Sequence, residues 1–177
     1  MKKKALALVL ALTLLVAGIV GGTLAWLTDQ TAEVKNTFTV GDINIGLTET
    51  TADYKMVPGN TIAKDPTVTV KANSEACWLF VKVTESTDLK DFITYAIAEG
   101  WTALPGVDGV YYREVPASAA DQTFSVLAGD AVTVKSDVTR TMLETAKTDA
   151  PTLTFKAYAI QRDHFATADA AWVEVSK

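Results

Sequence analysis

Trp78-Leu79-Phe80-Val81-Lys82-Val83 is apolar at both alternate sets of positions, Trp78 and Phe80 on one and Leu79, Val81 and Val83 on the other. A run this short, rich in β-branched and aromatic residues, predicts a strand buried on both faces at the centre of a sheet. Working outward, Thr67-Val68-Thr69-Val70-Lys71 places Val68 and Val70 on one face. Thr152-Leu153-Thr154-Phe155-Lys156-Ala157-Tyr158-Ala159 does the same with Leu153, Phe155, Ala157 and Ala159. Such period-two patterns predict half-buried strands. Further strands are expected over 92–98, 109–113, 122–127 and 131–135. In the segment Thr37 to Thr48, Phe38 and Val40 share one parity, whereas Ile43, Ile45 and Leu47 have the other. One bent strand with a bulge at Gly41-Asp42 accounts for the change of phase.

Turn residues punctuate these runs at Pro58-Gly59-Asn60, Asp65-Pro66, Ala72-Asn73-Ser74, Leu104-Pro105-Gly106, Ala128-Gly129-Asp130 and Asp149-Ala150-Pro151. Strands of this length at this spacing predict an all-β, antiparallel two-sheet sandwich of jelly-roll type. One or two short helices are expected, over 138–147 and 167–173, the second capped by Thr167 with Asp169 near its positive end. Cys77 is the only cysteine, so no disulfide can form within the chain, and its place in the apolar run predicts a buried, unreactive thiol.

The first residues have another character. Lys2, Lys3 and Lys4 precede an apolar stretch from Ala5 to Val20, followed by Gly21-Gly22-Thr23-Leu24-Ala25. This order of basic, apolar and small-residue segments predicts a secretory signal peptide over 1–25, cut between Ala25 and Trp26. The other reading is a retained anchor, since about 20 apolar residues suffice to cross a bilayer. The glycine pair and the polar Thr28-Asp29-Gln30 favour release. The expected organisation is then a signal peptide at 1–25, an N-terminal extension at 26–36 and a β-sandwich domain at 37–177. Removing the signal takes three lysines and no acids, which moves the net charge from -5 to -8 and leaves 152 of 177 residues. So acidic a chain is not expected to bind nucleic acid, and it meets a membrane only through an uncleaved signal.

Several stretches resemble one family. The junction Gly22-Thr23-Leu24-Ala25-Trp26-Leu27-Thr28-Asp29, the run Val34-Lys35-Asn36-Thr37-Phe38-Thr39-Val40-Gly41-Asp42-Ile43, the segments Met56-Val57-Pro58-Gly59 and Ile62-Ala63-Lys64-Asp65-Pro66, and Ala157-Tyr158-Ala159-Ile160-Gln161 are similar to the camelysin/TasA-like exported proteins of Gram-positive bacteria. The resemblance covers the first 70 residues well and the last 25 in part. It implies removal of the signal by a SipW-type signal peptidase, a jelly-roll sandwich, and a structural subunit of biofilm-matrix fibres in which one subunit donates a strand to the next. Trp26-Leu27-Thr28-Asp29-Gln30-Thr31-Ala32-Glu33-Val34 holds neither proline nor glycine and suits such a donor strand, with Trp26, Leu27 and Val34 as its apolar residues. A head-to-tail contact of this kind does not close and therefore builds a filament. Expected partners are further copies of the chain, the signal peptidase during export, and a matrix or surface component.

Camelysin-like proteins are also classed as metallopeptidases. A peptidase zinc needs three protein ligands and an open position, commonly with His-Glu-x-x-His on a helix. The chain has one histidine, His164, and no such motif. Asp163, His164 and Asp169, or Glu144 and Asp149, read as solvated acidic loops. Neither Cys77 nor any serine has a recognisable base and orienting carboxylate, so no catalytic, cofactor or metal residues are assigned. The remaining alternative is a monomeric module binding glycan or protein through exposed aromatics, for which Trp101, Tyr111 and Tyr112 are the candidates. Adjacent strand residues face opposite sides, so one of Tyr111 and Tyr112 is expected to be exposed. The chain ends without a sorting motif or apolar tail, which leaves assembly or binding as the expected means of retention.

Overall fold

The computed structural model describes residues 42–50 and 55–177, within a unit that spans Val40–Lys177. The Ala25-Trp26 junction, the donor segment Trp26 to Val34 and the predicted bulge at Gly41 lie outside the described residues.

At the centre runs a nine-residue strand, β4 (Cys77–Glu85). It pairs antiparallel with β10 (Leu153–Gln161) on one side and β7 (Val110–Val115) on the other, and the two-residue β6 (Thr102–Ala103) completes a sheet of order β10-β4-β7-β6. Both faces of β4 are covered, as its sequence predicts. Cys77, Leu79 and Val81 are fully buried, and Val83 nearly so, against Val68, Val70 and Val126 of the opposite layer. Trp78 and Phe80 are buried on the other side against α3 (Ala168–Val175), where Trp172 lies 5.3 Å from the Phe80 ring centroid. Thr167 caps α3 by accepting from Ala170 N, and Asp169 occupies the first turn, both as expected. A shorter helix, α2 (Arg140–Ala146), is capped by Thr139.

The opposite layer is split in two. One sheet has the order β1 (Ile45–Thr48), β3 (Thr67–Val70), β8 (Gln122–Ser125); the other has β2 (Thr61–Ala63), β9 (Ala131–Val134), β5 (Ile93–Thr94). All pairings are antiparallel. The chain runs from β2 into β3 through Lys64-Asp65-Pro66 and from β8 into β9 through residues 126–130. Hydrogen bonds continue across the break, Lys64 N to Asp130 O at 2.7 Å and Val126 N to Pro66 O at 2.9 Å. The two sheets therefore act as one layer with a kink. Proline, which lacks a ladder donor, and Gly129 with φ 64° sit at the break. The strand expected over 92–98 is mostly absent: Leu89–Phe92 forms a helical turn, α1. Only Ile93–Thr94 joins the sheet, with an isolated bridge between Ile97 and Leu127.

Candidate functional site

The two layers leave an open margin where β10 and β1 are the outermost strands. Among the described residues, no strand pairs with the outer edge of either. Unpaired strand edges present amides and carbonyls that seek a partner. Burial falls off toward this margin. The inward row of β4 is sealed, but Leu153, Phe155, Ala157 and Ala159 of β10 are each only half-buried. On β1, Leu47 is 36% exposed, although Ile43 and Ile45 on the same face pack on the core. The result is a strip of apolar surface beside a long free edge.

Two cavities lie along this strip and share Leu153 and Thr154 in their walls. One of about 270 Å³ is lined by Leu47, Glu49, Pro66 and Phe155; the other, of about 440 Å³, by Met56, Ile62, Lys64, Val132 and Pro151. Between them sits an ion pair that composition does not announce. Lys64 is 7% exposed, and its Nζ lies 2.5 Å from Glu49 Oε1 and 5.4 Å from the Phe155 ring centroid. Charge on a residue buried this far is tolerated because it is paired and its stem packs on apolar surface. Next to it, Asp65 Oδ1 accepts from Thr50 N at 2.9 Å and its other oxygen accepts from the Thr50 hydroxyl. These bonds hold the Asp65 carboxyl below its ordinary range. Lys64-Asp65 thus clasps Glu49-Thr50 and fixes the end of β1 over the margin.

The other predicted site residues fall elsewhere. Trp101 is not an exposed aromatic. It is 9% exposed, its Nε1 donates to Ser125 O at 2.9 Å, and the Arg113 guanidinium lies 5.4 Å from its ring centroid. Tyr111 and Tyr112 do point to opposite faces, but both are half-buried, so neither is the freely exposed member of the pair. Tyr112 packs on Trp78, with ring centroids 5.8 Å apart, and Tyr111 lines a cleft with Glu85 and Tyr95. Cys77 is fully buried, and burial pushes its thiol up to about 11. His164 is exposed in the single 3₁₀ turn Arg162–His164 after β10.

Among the described residues no three His, Cys, Asp or Glu side chains come together, so the residues present there do not fit a peptidase zinc. Among the described residues, no helix is long and apolar enough to cross a membrane.

Comparison with known proteins supplies one match. Residues 1–89 match the family described as camelysin metallo-endopeptidase. No curated protein and no solved structure matches the chain. With half of its length matched, this chain belongs to the camelysin family.

Proposed function

We propose that this protein is an exported cell-surface or matrix subunit that assembles into fibres by strand donation. In this reading the segment Trp26 to Val34 of one copy adds to the margin between β1 and β10 of the next, after a signal peptidase has freed it by cutting between Ala25 and Trp26. The observation that carries the proposal is the half-buried inward row of β10 next to an edge with no strand partner among the described residues. The lengths agree. Trp26 to Val34 and Leu153–Gln161 are nine residues each, and nine extended residues span about 30 Å. Main-chain bonds to β10 would provide affinity, and Trp26 and Val34, which share one face of the donor strand, would meet the apolar strip, with Leu27 on the other face. A signal still attached would tether the donor to the membrane and prevent growth.

The test is the mass in solution of a chain starting at Trp26, followed by light scattering as concentration rises, beside one lacking residues 26–34. Open-ended growth of the first and a monomeric second is the expected pair of results. Equal behaviour of the two would remove the donor from the account. Leu47→Arg, at an exposed position on the margin, should leave the fold intact and stop growth.

A further inference from the structure

The end of β4 at Glu85 carries chemistry that strand donation does not use. A cleft of about 420 Å³ opens between β7 and the segment from Leu89 to Ile97, with Tyr95 and Tyr111 among its walls. Tyr95 is held in place by donating its hydroxyl to Glu85 Oε1. Burial, and then the Glu85 contact, push its phenol well above the ordinary value, which keeps the proton on it. Glu85 Oε2 has no partner among the described residues. Lys90 and Lys135 also line the cleft. Lys135 Nζ gives one bond, at 3.1 Å, to Lys90 O, leaving the rest of its donors and the whole Lys90 ammonium without protein partners among the described residues.

The same row of β7 continues the pattern. Arg113, two residues beyond Tyr111, lies with its guanidinium 3.9 Å from the Phe124 ring centroid and 5.4 Å from that of Trp101. Its Nε is buried without a hydrogen-bond partner, and no carboxylate pairs with it among the described residues. In a chain of net charge -5, one margin thus gathers three cations with no carboxylate partner among the described residues, beside two tyrosines, and one carboxylate lines the cleft. The edge strands that border it, β5 and β6, are two residues long, too short to template an added peptide strand. Recognition here falls to side chains.

We infer that this cleft binds an acidic glycan, with a pyranose ring against the tyrosines and its carboxylate or phosphate group held by Lys90 and Lys135. Tyrosine offers an apolar face for the C–H side of a sugar ring and a polar edge for its hydroxyls. Lysine ammonium groups act as point charges for the anion, and Glu85 Oε2 is placed to accept a sugar hydroxyl. The volume lies at the low end for ligand sites, about 300 to 1,000 Å³, and suits a short saccharide segment. The cleft shares Leu89 and Ile93 with the larger cavity beside β10 but is lined by none of the β10 residues themselves.

The experiment titrates the purified protein at low salt with a galacturonic acid hexasaccharide, a phosphorylated dextran and an unmodified dextran, using calorimetry. Saturable binding of at least one acidic probe and none of the neutral one is expected, and the stronger of the two acidic probes identifies the anion. The double variant Lys90→Gln/Lys135→Gln should weaken binding by about tenfold or more, and Tyr111→Ala should do the same with an unchanged circular dichroism spectrum. Three results would overturn the inference: no saturable binding of either acidic probe, equal binding of the neutral dextran, or undiminished binding by the double lysine variant.

Discussion

The margin at β10 is a nine-residue edge with no strand partner among the described residues, over a half-buried apolar row, whereas the β7 side ends in a two-residue strand, a stacked arginine and a tyrosine-lined cleft. Both belong to the same four-stranded sheet and flank the same sealed strand, β4. The difference lies in what finishes them. At β7, side chains close the gap between layers: Trp101 bonds to Ser125 O and Arg113 stacks between Trp101 and Phe124. At β10 the Lys64–Glu49 pair sits between two cavities, and the core thins from fully buried Leu79 and Val81 to half-buried Phe155 and Ala157. A sheet edge left long, regular and apolar suits a main-chain partner, whereas a cleft walled by tyrosines, lysines and a glutamate suits a polar ligand.

Mutations can break or sharpen this contrast, and the largest effects belong at its centre. Leu79→Ala on sealed β4 should cost about 2–5 kcal/mol by denaturant unfolding, while Leu153→Ala on half-buried β10 should cost roughly half as much in the monomer. Equal costs would mean that the β10 row is as closed as the centre. At the β7 side, Gly109→Ala should cost about 2–3 kcal/mol. Gly109 has φ +70°, and an added Cβ would lie 2.4 Å from Val83 O, so a melting temperature unchanged by this substitution would contradict the close approach. Lys64→Ala should cost about 1–3 kcal/mol, since it removes the buried Lys64–Glu49 ion pair, and it should loosen the end of β1 as read by amide exchange.

The smallest expected effect concerns acid. Asp65 and Asp121 are held below the ordinary carboxylate value, Asp65 first by the Thr50 hydroxyl and Asp121 first by the Ala72 amide. A carboxylate with a depressed folded pKa contributes stability that is present above its unfolded value, about 4, and lost as pH falls through the folded value. Stability measured from pH 5 downward should therefore decline, and Asp65→Asn should make the decline shallower. A steeper decline in that variant would reverse the assignment.

Much of the fold was legible in the residues. The two-faced apolar run of β4, the alternation in β3 and β10, and the Thr167 cap are local patterns that tertiary packing reinforced. Other features depended on contacts distant in sequence. Nothing local marks Lys64 until the pairing of β1 with β3 brings Glu49 beside it and β10 brings Phe155. Trp101 reads as an exposed platform until Arg113 and Ser125 O enclose it. The expected strand over 92–98 gave way because Leu89–Phe92 winds into a helical turn that buries Leu89 and Phe92 in the second core cluster. The kink in the opposite layer was half legible, in Pro66 and Gly129. Of the candidate sites, the open margin follows from strand order, which no local pattern contains. Of the residues lining the cleft at Glu85, only Tyr111 stood out in the sequence.

The central claim is that the outer edge of β10 is where another copy adds. Amide hydrogen exchange along Leu153–Gln161, compared between monomer and polymer of a chain starting at Trp26, tests it most directly. The account predicts that β10 amides facing away from β4 gain protection on assembly while those of β6 and β7 do not change. Polymer formed with β10 exchange unaltered, or protection confined to the β7 margin, would contradict it.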